Sequence, residues 1–519
     1  MQPVFSAEQM RRLDARAIGE LGIPGATLME NAGRGAATAL LRALPERGLA
    51  PRGLAVAIVC GKGGNGGDGF VVARRLKAAG ARPAVHLAFP PDAIGGDAAM
   101  KYRELRRAGI TARVVDGGDA LRAALARSDV VVDALLGTGV RGAVGPALGA
   151  LIEAINASGR PVVALDIPSG LPADGEAPAG PVVRAWLTPT FAALKLGLVL
   201  EPGVEFAGRV EVIDIGIPAA EVRRDVSTFL LERTDVTPLF PRRTRTAHKG
   251  TYGHLLVIAG SVGKTGAAAL CARAAMRAGA GLVTVATSAS AQPVVASLLL
   301  EAMSAPLPET DARTLALKAH DTLTELASAR DAVAVGPGLG LEDETRSLAR
   351  TLVRELPRPM VVDADALTAL VNHLDTLRGA AGPRYLTPHP GEMARMLGGS
   401  VADVQRDRVG CARAFAQAHG VYLCLKGSRS LVASPDGRVL VNPTGNPGMA
   451  SGGTGDVLTG IVGALLARGL PAEHVLGAAV YLHGLAGDVA AERVGEEALV
   501  ASDVIDALGE AFRRLAHDG

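Results

Sequence analysis

Aromatic residues and lysine are scarce in this sequence. Only 3% of the 519 residues are aromatic, lysine occurs eight times among 54 basic residues, and the formal net charge is +2. Nucleic-acid-binding domains usually carry a basic stripe with aromatic side chains between the charges. The composition therefore argues against a nucleic-acid partner and predicts a core built from Ala, Val and Leu.

Long apolar segments and paired cysteines are also missing. No run approaches the ~18 apolar residues of a membrane-spanning helix. The N-terminus has no signal-peptide core and instead predicts an amphipathic helix with Ser6 and Gln9 at capping-box spacing. The cysteines fit neither a disulfide framework nor a zinc knuckle: Cys60, Cys271, Cys411 and Cys424. We expect a cytoplasmic protein with no membrane partner.

Short apolar runs alternate with helical stretches along the whole chain. Strands are predicted within residues 54–60, 83–89, 128–136, 160–168, 254–260, 282–287, 331–338, 360–367 and 421–427. This alternation is typical of α/β folds with parallel sheets. The rhythm breaks between 222 and 250, which predicts two domains, 1–225 and 245–519, joined by a linker at 226–244. The alternative is a surface loop within one large sheet.

Glycine is abundant, with 65 residues, and it gathers after the predicted strands. The clusters lie at 60–69, 136–145, 259–266, 336–340 and 442–456. Ligands of open α/β sheets bind outside the carboxyl ends of strands, and glycine lets backbone N–H groups approach a phosphate closely. The clusters favour phosphate-bearing ligands over simple turns.

The first glycine cluster contains a G-x-G-x-x-G sequence, at Gly61, Gly63 and Gly66. A dinucleotide-binding fingerprint needs a ribose-binding acid about 20 residues later, and the nearest one, Asp92, is late. Asn65 and Asp68 lie among these glycines and could bind a cation or a ribose, or form an Asx turn.

Acidic residues follow several predicted strands. Asp133 and Asp166 each end a strand and precede a glycine-containing turn, on the sheet edge that carries Asn65. Carboxylates there can act as acids, bases or metal ligands, or can cap helices. In the second half, Gly453 to Asp456 opens an apolar helix. Backbone N–H groups would form an anion site, and Asp456 could take a proton from a substrate hydroxyl or serve only as a cap.

Two further positions in the second half suit a phosphorylated ligand. His389 follows a predicted strand and offers a ligand contact, and Glu392 could organise Mg²⁺. Lys426 follows another strand, where it could contact a polyphosphate or remain an exposed surface lysine.

Eight motifs together resemble one known enzyme family. Residues 24–33, 61–69, 133–139 and 166–170 resemble the NAD(P)H-hydrate epimerase domain. Residues 248–254, 260–268, 387–392 and 449–456 resemble the ADP-dependent NAD(P)H-hydrate dehydratase domain. Their order is that of the bacterial bifunctional repair enzymes. The resemblance implies an α/β fold with a Rossmann-like three-layer α/β/α domain followed by a ribokinase-like α/β domain.

The resemblance also implies the ligand contacts of the first domain. The hydrated nucleotide would contact Gly64, Asn65, Gly66, Gly67, Asp68, Gly137, Thr138, Gly139, Val140, Arg141, Gly142, Ala143 and Asp166. K⁺ would be held by Asn65, Asp133 and Ser169. Two positions depart from the family pattern, Gly64 in place of an asparagine and Trp186 in place of an aspartate, and the second leaves the turn near Lys195 without an assigned role.

In the second domain the resemblance implies two groups of contacts. The hydrate would contact Ala267, Gly338, His389 and Asp456. ADP would contact Lys426, Gly427, Ser428, Arg429, Ser430, Gly452, Gly453, Thr454 and Gly455.

The implied activity is the repair of NADH and NADPH hydrated at C6 of the nicotinamide ring. The first domain would interconvert the R and S epimers, with Asp166 as the proton shuttle, and the second would dehydrate the S epimer with ADP, using Asp456 as the base. The small-molecule partners would be the hydrates and ADP, in a homo-oligomer. Two alternatives remain: a vitamin kinase fused to a nucleotide-sensing domain, and a binding module without turnover.

Overall fold

Residue contacts divide the chain between Val226 and Ser227. The computed structural model describes residues 1–139 and 142–516. Gln2–Val226 forms an N-terminal unit, and Ser227–Gly519 with Met1 forms a C-terminal unit. Within the described residues, no helix is long and apolar enough to cross a membrane.

The N-terminal unit alternates strands with helices. Its strands are β1 (Gln2–Phe5), β2 (Ala55–Cys60), β3 (Arg82–Leu87), β4 (Ala112–Val114), β5 (Val130–Ala134), β6 (Val162–Ala164), β7 (Leu187–Phe191), β8 (Leu194–Lys195) and β9 (Arg209–Ile213). Its helices are α1 (Ala7–Gly19), α2 (Gly25–Ala43), α3 (Gly64–Ala78), α4 (Gly96–Arg107), α5 (Gly117–Leu125), α6 (Pro146–Asn156), α7 (Leu196–Val199), α8 (Val204–Ala207) and α9 (Ala219–Arg223).

A seven-stranded parallel sheet organises this unit, in the order β4-β3-β2-β5-β6-β7-β9. Successive β2 residues point to opposite faces: Ile58 packs into the core beneath α2 and α3, and Val59 into the core beneath α5 and α6. Helices therefore cover both faces, and the predicted Rossmann-like three-layer α/β/α arrangement is confirmed. β1 and β8 form a separate parallel pair.

The C-terminal unit has the same alternation. Its strands are β10 (Thr228–Leu230), β11 (His254–Ile258), β12 (Leu282–Ser288), β13 (Met303–Leu307), β14 (Ala332–Val335), β15 (Met360–Val362), β16 (Arg384–Leu386), β17 (Tyr422–Leu425), β18 (Leu431–Ala433) and β19 (Val439–Val441). Its helices are α10 (Arg233–Val236), α11 (Thr265–Arg277), α12 (Gln292–Leu298), α13 (His320–Ser328), α14 (Asp343–Glu355), α15 (Ala364–Ala369), α16 (Asp375–Arg378), α17 (Pro390–Leu397), α18 (Val401–Arg406), α19 (Arg408–His419), α20 (Thr454–Ala467), α21 (Ala472–Val494) and α22 (Ala501–Ala516).

Its sheet runs in the order β13-β12-β11-β14-β15-β16-β17-β18-β19-β10. The strands from β13 to β17 are parallel, β18 is antiparallel to both of its neighbours, and β10 pairs in parallel with β19. The carboxyl ends of β11, β14, β15, β16 and β17 therefore meet at one edge of the sheet.

Each apolar run predicted as a strand overlaps an observed strand, and α1 begins with the predicted Ser6–Gln9 capping box. Three details differ from the predictions. α3 begins at Gly64, so the second half of the glycine cluster at 60–69, with Asn65 and Asp68, belongs to a helix. β15 ends at Val362, and the rest of that apolar run belongs to α15. Part of the stretch predicted as a linker, 226–244, is packed secondary structure, because it contains β10 and α10.

Close contact between α11 and α20 depends on a glycine. A Cβ at Gly460 would lie 2.1 Å from the backbone oxygen of Cys271 and 2.9 Å from Cβ of Ala274. No side chain fits there unless the two helices separate. The close packing matters for the site described below, because α20 carries Asp456 on its first turn.

We expect Gly460→Ala to lower the free energy of unfolding by roughly 1–3 kcal/mol, because the added methyl group overpacks the helix contact. Gly509→Ala is the matched control, since Gly509 lies in α22 with open space around its Cβ position. That variant should gain about 0.5–1 kcal/mol from helix propensity. Chemical denaturation measures both, and equal effects would contradict the packing explanation.

Candidate functional sites

A cavity of about 750 Å³ lies at the carboxyl edge of the N-terminal sheet. The loops after β2 and β5 and the turn after β6 form its wall, and Gly137 meets Asn65 where two of them converge. The predicted residues that line it are Gly64, Asn65, Asp68, Gly137, Thr138, Gly139, Ala143 and Asp166.

The remaining predicted hydrate contacts that the structure describes do not line this cavity. Gly66 and Gly67 are buried in the first turn of α3, where a Cβ at Gly66 would lie 2.0 Å from the Gly61 backbone oxygen. Gly142 has a left-handed backbone, with φ of 69°. Val140 and Arg141 lie outside the described residues.

Asp166 is held by a buried lysine. Its Oδ1 accepts hydrogen bonds from Lys195 Nζ at 2.5 Å, the Phe191 backbone N–H at 3.0 Å and Thr190 Oγ1 at 3.4 Å. Lys195 is fully buried and also donates to the Phe191 backbone oxygen at 2.8 Å. Asp166 itself has a left-handed backbone, with φ of 67°. Such strain is typical of functional positions.

Two further carboxyl groups of the cavity interact with this pair. Burial, together with the charges of Asp166 and Asp14, raises the pKa of Asp68 well above its usual value, and Lys195 only partly opposes this. Partial desolvation in the cavity and the charge of Asp166 raise the pKa of Asp14 to about 6, while part of its side chain stays exposed. The charges of these three carboxyl groups and of the Lys195 ammonium group thus act on one another, and the surplus of carboxyl groups favours bound protons or cations.

A cluster of oxygen atoms lies near Asn65. Asp133 is fully buried and accepts hydrogen bonds from Ser169 Oγ at 2.7 Å and the Ser169 backbone N–H at 2.8 Å. Burial raises the pKa of Asp133 to about 6, although these hydrogen bonds oppose the shift. Asn65 donates to the Leu136 backbone oxygen at 2.7 Å, while its buried Oδ1 receives no hydrogen bond from any described residue.

The two departures from the family pattern differ in position. Gly64 lines the cavity with open space at its Cβ position. Trp186 precedes β7 at the amino end of that strand, where the Arg47 guanidinium lies 4.9 Å from its ring centre. Because Asp166 contacts residues at the carboxyl end of β7, Trp186 lies at the opposite edge of the sheet.

The C-terminal site is built around the start of α20. Gly453 caps this helix with φ of 92°, and Asp456 follows on its first turn. Burial and the charge of Asp363 raise the pKa of Asp456 to about 7, with Lys426 opposing and Asp365 and Glu392 adding to the shift. Near neutral pH this carboxyl group can therefore exchange a proton readily.

Lys426 joins the surrounding carboxylates. Its Nζ lies 2.9 Å from Asp363 Oδ1 and 3.7 Å from Glu392 Oε2. Burial disfavours its charge, but these two carboxylates outweigh burial and raise the pKa of Lys426. Asp363 Oδ2 accepts a further hydrogen bond from Thr459 of α20 at 2.7 Å. A Cβ at Gly455 would lie 3.4 Å from Lys426 Nζ, so the helix start and the lysine are adjacent.

The predicted contacts after β16 form a helix cap. His389 is exposed, and its Nδ1 accepts the Gly391 backbone N–H at 3.0 Å. Glu392 Oε2 accepts the His389 backbone N–H at 2.8 Å. His389 Nε2 remains 3.6 Å from Glu392 Oε1, on a carboxylate that also faces Lys426.

Tight turns fix the remaining predicted nucleotide contacts. Ser430 Oγ bonds the Gly427 backbone oxygen at 2.9 Å, and Arg408 bonds the Ser428 backbone oxygen at 2.7 Å. Arg429 has φ of 54°. Gly452 directly precedes the Gly453 cap. Thr454 Oγ1 donates to the Met449 and Ser451 backbone oxygens, at 2.9 Å each.

Ala267 and Gly338 lie side by side, since a Cβ at Gly338 would be 3.2 Å from that of Ala267. Lys264 is next to them and contacts Asp365 Oδ2 at 3.1 Å. The charge of Asp365 in turn raises the pKa of Asp456. Ala267 and Gly338 therefore belong to the surroundings of Asp456. The predicted dehydratase residues therefore come from several loops on one edge of the sheet.

Sequence reasoning misses several charged residues of these sites. Asp363 follows a strand, as Asp133 and Asp166 do, and the same criterion would identify it. Asp14 lies on helix α1, outside the eight motifs and the glycine clusters. Lys195 belongs to a strand of two residues, which leaves no pattern in the sequence. Among the described residues, no group of three or more His, Cys, Asp or Glu side chains is placed to hold a metal ion.

Two families match the chain. Residues 255–509 match the family described as NAD(P)H-hydrate dehydratase, and residues 25–197 match the family described as YjeF-related protein N-terminus. A protein of Moorella thermoacetica named bifunctional NAD(P)H-hydrate repair enzyme is 44% identical, covering 99% of this chain and 97% of the relative. The chain belongs to the bifunctional NAD(P)H-hydrate repair enzymes. The family predicted from the eight motifs is confirmed.

Other members of the bifunctional NAD(P)H-hydrate repair enzymes are similar over nearly the same length. The Escherichia coli protein of that name is 36% identical, covering 97% of this chain and 93% of the relative. A crystal structure of the ADP/ATP-dependent NAD(P)H-hydrate dehydratase of Bacillus subtilis, co-crystallised with ATP and Mg²⁺, is 31% identical. It covers 55% of this chain and 98% of that one, with a TM-score of 0.48.

We expect Asp456→Asn to stabilise the protein, with a gain that grows as pH rises. The unfolded chain releases the Asp456 proton near pH 3.8, whereas the folded chain keeps it to about 7. As pH rises from 3.8 to about 7, the free energy of unfolding of the wild type therefore falls relative to that of the variant. The total fall is roughly 2–4 kcal/mol.

Chemical denaturation between pH 5 and 8 measures this difference. Asp436→Asn is the control, because Asp436 is exposed beside Arg438 and no buried charge is removed. A difference between Asp456→Asn and the wild type that stays constant with pH would contradict the proposed burial of the Asp456 charge.

Proposed function

We propose that the N-terminal unit interconverts the R and S epimers of hydrated NADH and NADPH, and that the C-terminal unit uses ADP to dehydrate the S epimer. The observation that carries this proposal is the pair of separate carboxyl centres. Asp166 sits in a cavity with a buried lysine, and Asp456 sits at a glycine-rich helix start beside Lys426. A cytoplasmic location and a homo-oligomer remain predictions.

In the C-terminal unit, Asp456 takes the proton of the substrate hydroxyl. The hydroxyl oxygen then attacks the β-phosphorus of ADP, the bond to the bridging oxygen breaks, and AMP leaves. Loss of the new phosphate ester as phosphate, with loss of the neighbouring C5 proton, restores the dihydropyridine ring. A pKa of about 7 suits Asp456 to this exchange, because a general base works best near the operating pH.

The N-terminus of α20 and the Lys426 ammonium group stabilise the negative charge of the transferred phosphoryl group. Free backbone N–H groups at a helix start attract phosphate oxygens, and the glycines there leave room for close approach. Glu392 would hold Mg²⁺, because carboxylate oxygens suit a hard cation and this carboxylate lies 3.7 Å from Lys426, at the proposed phosphate site. When bound, Mg²⁺ supplies positive charge to the phosphates of ADP.

In the N-terminal unit, Asp166 is the proton shuttle of epimerisation. The three donors on its Oδ1 fix the carboxylate, which leaves Oδ2 to face the substrate. Asn65, Asp133 and Ser169 would hold K⁺, and the orphaned Oδ1 of Asn65 suits such an oxygen-ligated cation. When bound, K⁺ would supply positive charge near the substrate, since Asn65 lines the cavity.

We expect the two half-reactions to separate by mutation. With a mixed-epimer NADH hydrate, ADP and Mg²⁺, the wild type should restore all of the dihydronicotinamide absorbance. Asp456→Ala should lose dehydration by about 10²–10⁴-fold and keep epimerisation. Asp166→Ala should dehydrate the S fraction at the normal rate and leave the R fraction behind.

Asp436→Ala, an exposed change between β18 and β19, is the control and should match the wild type. No recovery of absorbance by the wild type, or equal loss of both activities from either site variant, would contradict the proposal. Phosphorylation of a vitamin alcohol without any use of the hydrate would instead favour the kinase alternative.

Exchange of K⁺ for a bulky organic cation should lower the epimerisation rate and leave dehydration of the pure S hydrate unchanged. Asn65→Ala should abolish this response, because it removes the orphaned Oδ1. Chromatography of the epimer ratio over time measures the epimerisation rate. Recovery of the dihydronicotinamide absorbance measures dehydration. An Asn65→Ala protein that still responds to K⁺ would argue against the ion at this position.

A further inference from the structure

Helix α1 brings a carboxyl group to the N-terminal cavity that no motif contains. Met10, Asp14 and Ile18 all line the cavity, and their spacing of four residues places them on one face of the helix. Leu13 and Ala17, on the neighbouring face, are buried in the core. Asp14 precedes residues 25–197, which match the N-terminal family. It remains accessible, and so can meet a ligand in the cavity.

The position of α1 is tied to that of Lys195. β1 leads directly into α1 and pairs in parallel with β8, in a register that places Phe5 opposite Lys195. Asp174 accepts a hydrogen bond from the Ala7 backbone N–H at 2.6 Å, which anchors the first turn of α1. Arg16 near the other end contacts Glu221 at 3.2 Å. Asp14 is therefore held in place relative to the Lys195–Asp166 pair.

The charges around Asp14 suit it to donate a proton, whereas those around Asp166 suit that residue to accept one. Asp166 and Lys195 act on Asp14 electrostatically, and burial and the negative charge of Asp166 favour the protonated form of Asp14. Asp166 receives hydrogen bonds on Oδ1 and is suited to accept a proton on Oδ2. The other charged groups of the cavity are Lys62, Asp68 and Asp97. Paired carboxyl groups whose environments differ in this way divide the roles of acid and base.

We propose that Asp14 is the second acid–base residue of the epimerase site and exchanges a proton with the ring nitrogen while Asp166 exchanges one with the ring hydroxyl. This inference rests on the proposed epimerisation.

The proton transfers balance without any other reactant. Asp166 takes the hydroxyl proton, the C–O bond becomes a carbonyl, and the C6–N1 bond breaks with its electron pair moving to N1. N1 then takes the proton of Asp14. Rotation about the C5–C6 bond presents the other face of the aldehyde. N1 attacks that face and returns its proton to Asp14, while Asp166 returns a proton to the oxygen, so the opposite epimer forms and both carboxyl groups are restored.

The test uses the full-length chain without ADP, so that dehydration does not consume the S epimer. One purified epimer of NADH hydrate is added, and the epimer ratio is followed by chromatography. We expect Asp14→Asn to lower kcat of epimerisation by about 10²–10⁴-fold with little change in KM, because an amide cannot exchange the proton. Asp14→Glu should recover part of the loss. In the wild type, kcat/KM should fall as pH rises through about 6, where free Asp14 loses its proton.

Glu20→Gln is the matched control, because Glu20 is exposed just beyond the end of α1 and does not line the cavity. It should epimerise at the wild-type rate. Dehydration of pure S hydrate with ADP should be unchanged in all variants, because the Asp456 site lies in the C-terminal unit. An unchanged KM for the hydrate in epimerisation shows that the N-terminal cavity remains folded. If Asp14→Asn retains kcat, or raises only KM, the inference is overturned. If the wild type itself does not epimerise, the proposed function fails instead.

Discussion

Burial of carboxyl groups at the carboxyl ends of parallel strands governs both sites. Each site contains more carboxyl groups than cations in contact with them: Lys195 pairs with Asp166, and Lys426 pairs mainly with Asp363. The carboxyl groups left without such a partner, above all Asp68 and Asp456, hold their protons more tightly, because ionising them would add to a negative charge that water cannot solvate. Proton exchange near neutral pH follows from that surplus.

Glycine supplies the space that these charges need. Where a strand ends, Gly61 and Gly66 bring the backbone of two turns into contact, and at α20 the left-handed Gly453 and the bare Gly455 open the helix start toward Lys426. Side chains at these positions would separate the elements or cover the N–H groups. The glycines and the carboxyl groups therefore act together: the glycines let a ligand reach the backbone N–H groups, and the carboxyl groups lie beside it.

Much of this arrangement could be predicted from the sequence, because parallel strands are continuous apolar runs and their functional loops are rich in glycine. Asp133, Asp166 and Asp456 were identifiable on that basis. Asp14 and Lys195 were not, since β1 and β8 are too short to show a pattern and come together only through long-range pairing. The start of α3 at Gly64 also escapes prediction, because glycine has low helix propensity and tertiary packing overrides it.

Pairing of the first strand with β8 has a consequence for the order of assembly. Gln2–Phe5 are synthesised almost two hundred residues before their partner strand, Leu194–Lys195. During translation, α2, α3 and the strands from β2 to β6 can pack while the N-terminal segment waits without its partner. Helix α1 and Lys195 can therefore take their places beside the cavity only after β2 to β6 have been synthesised.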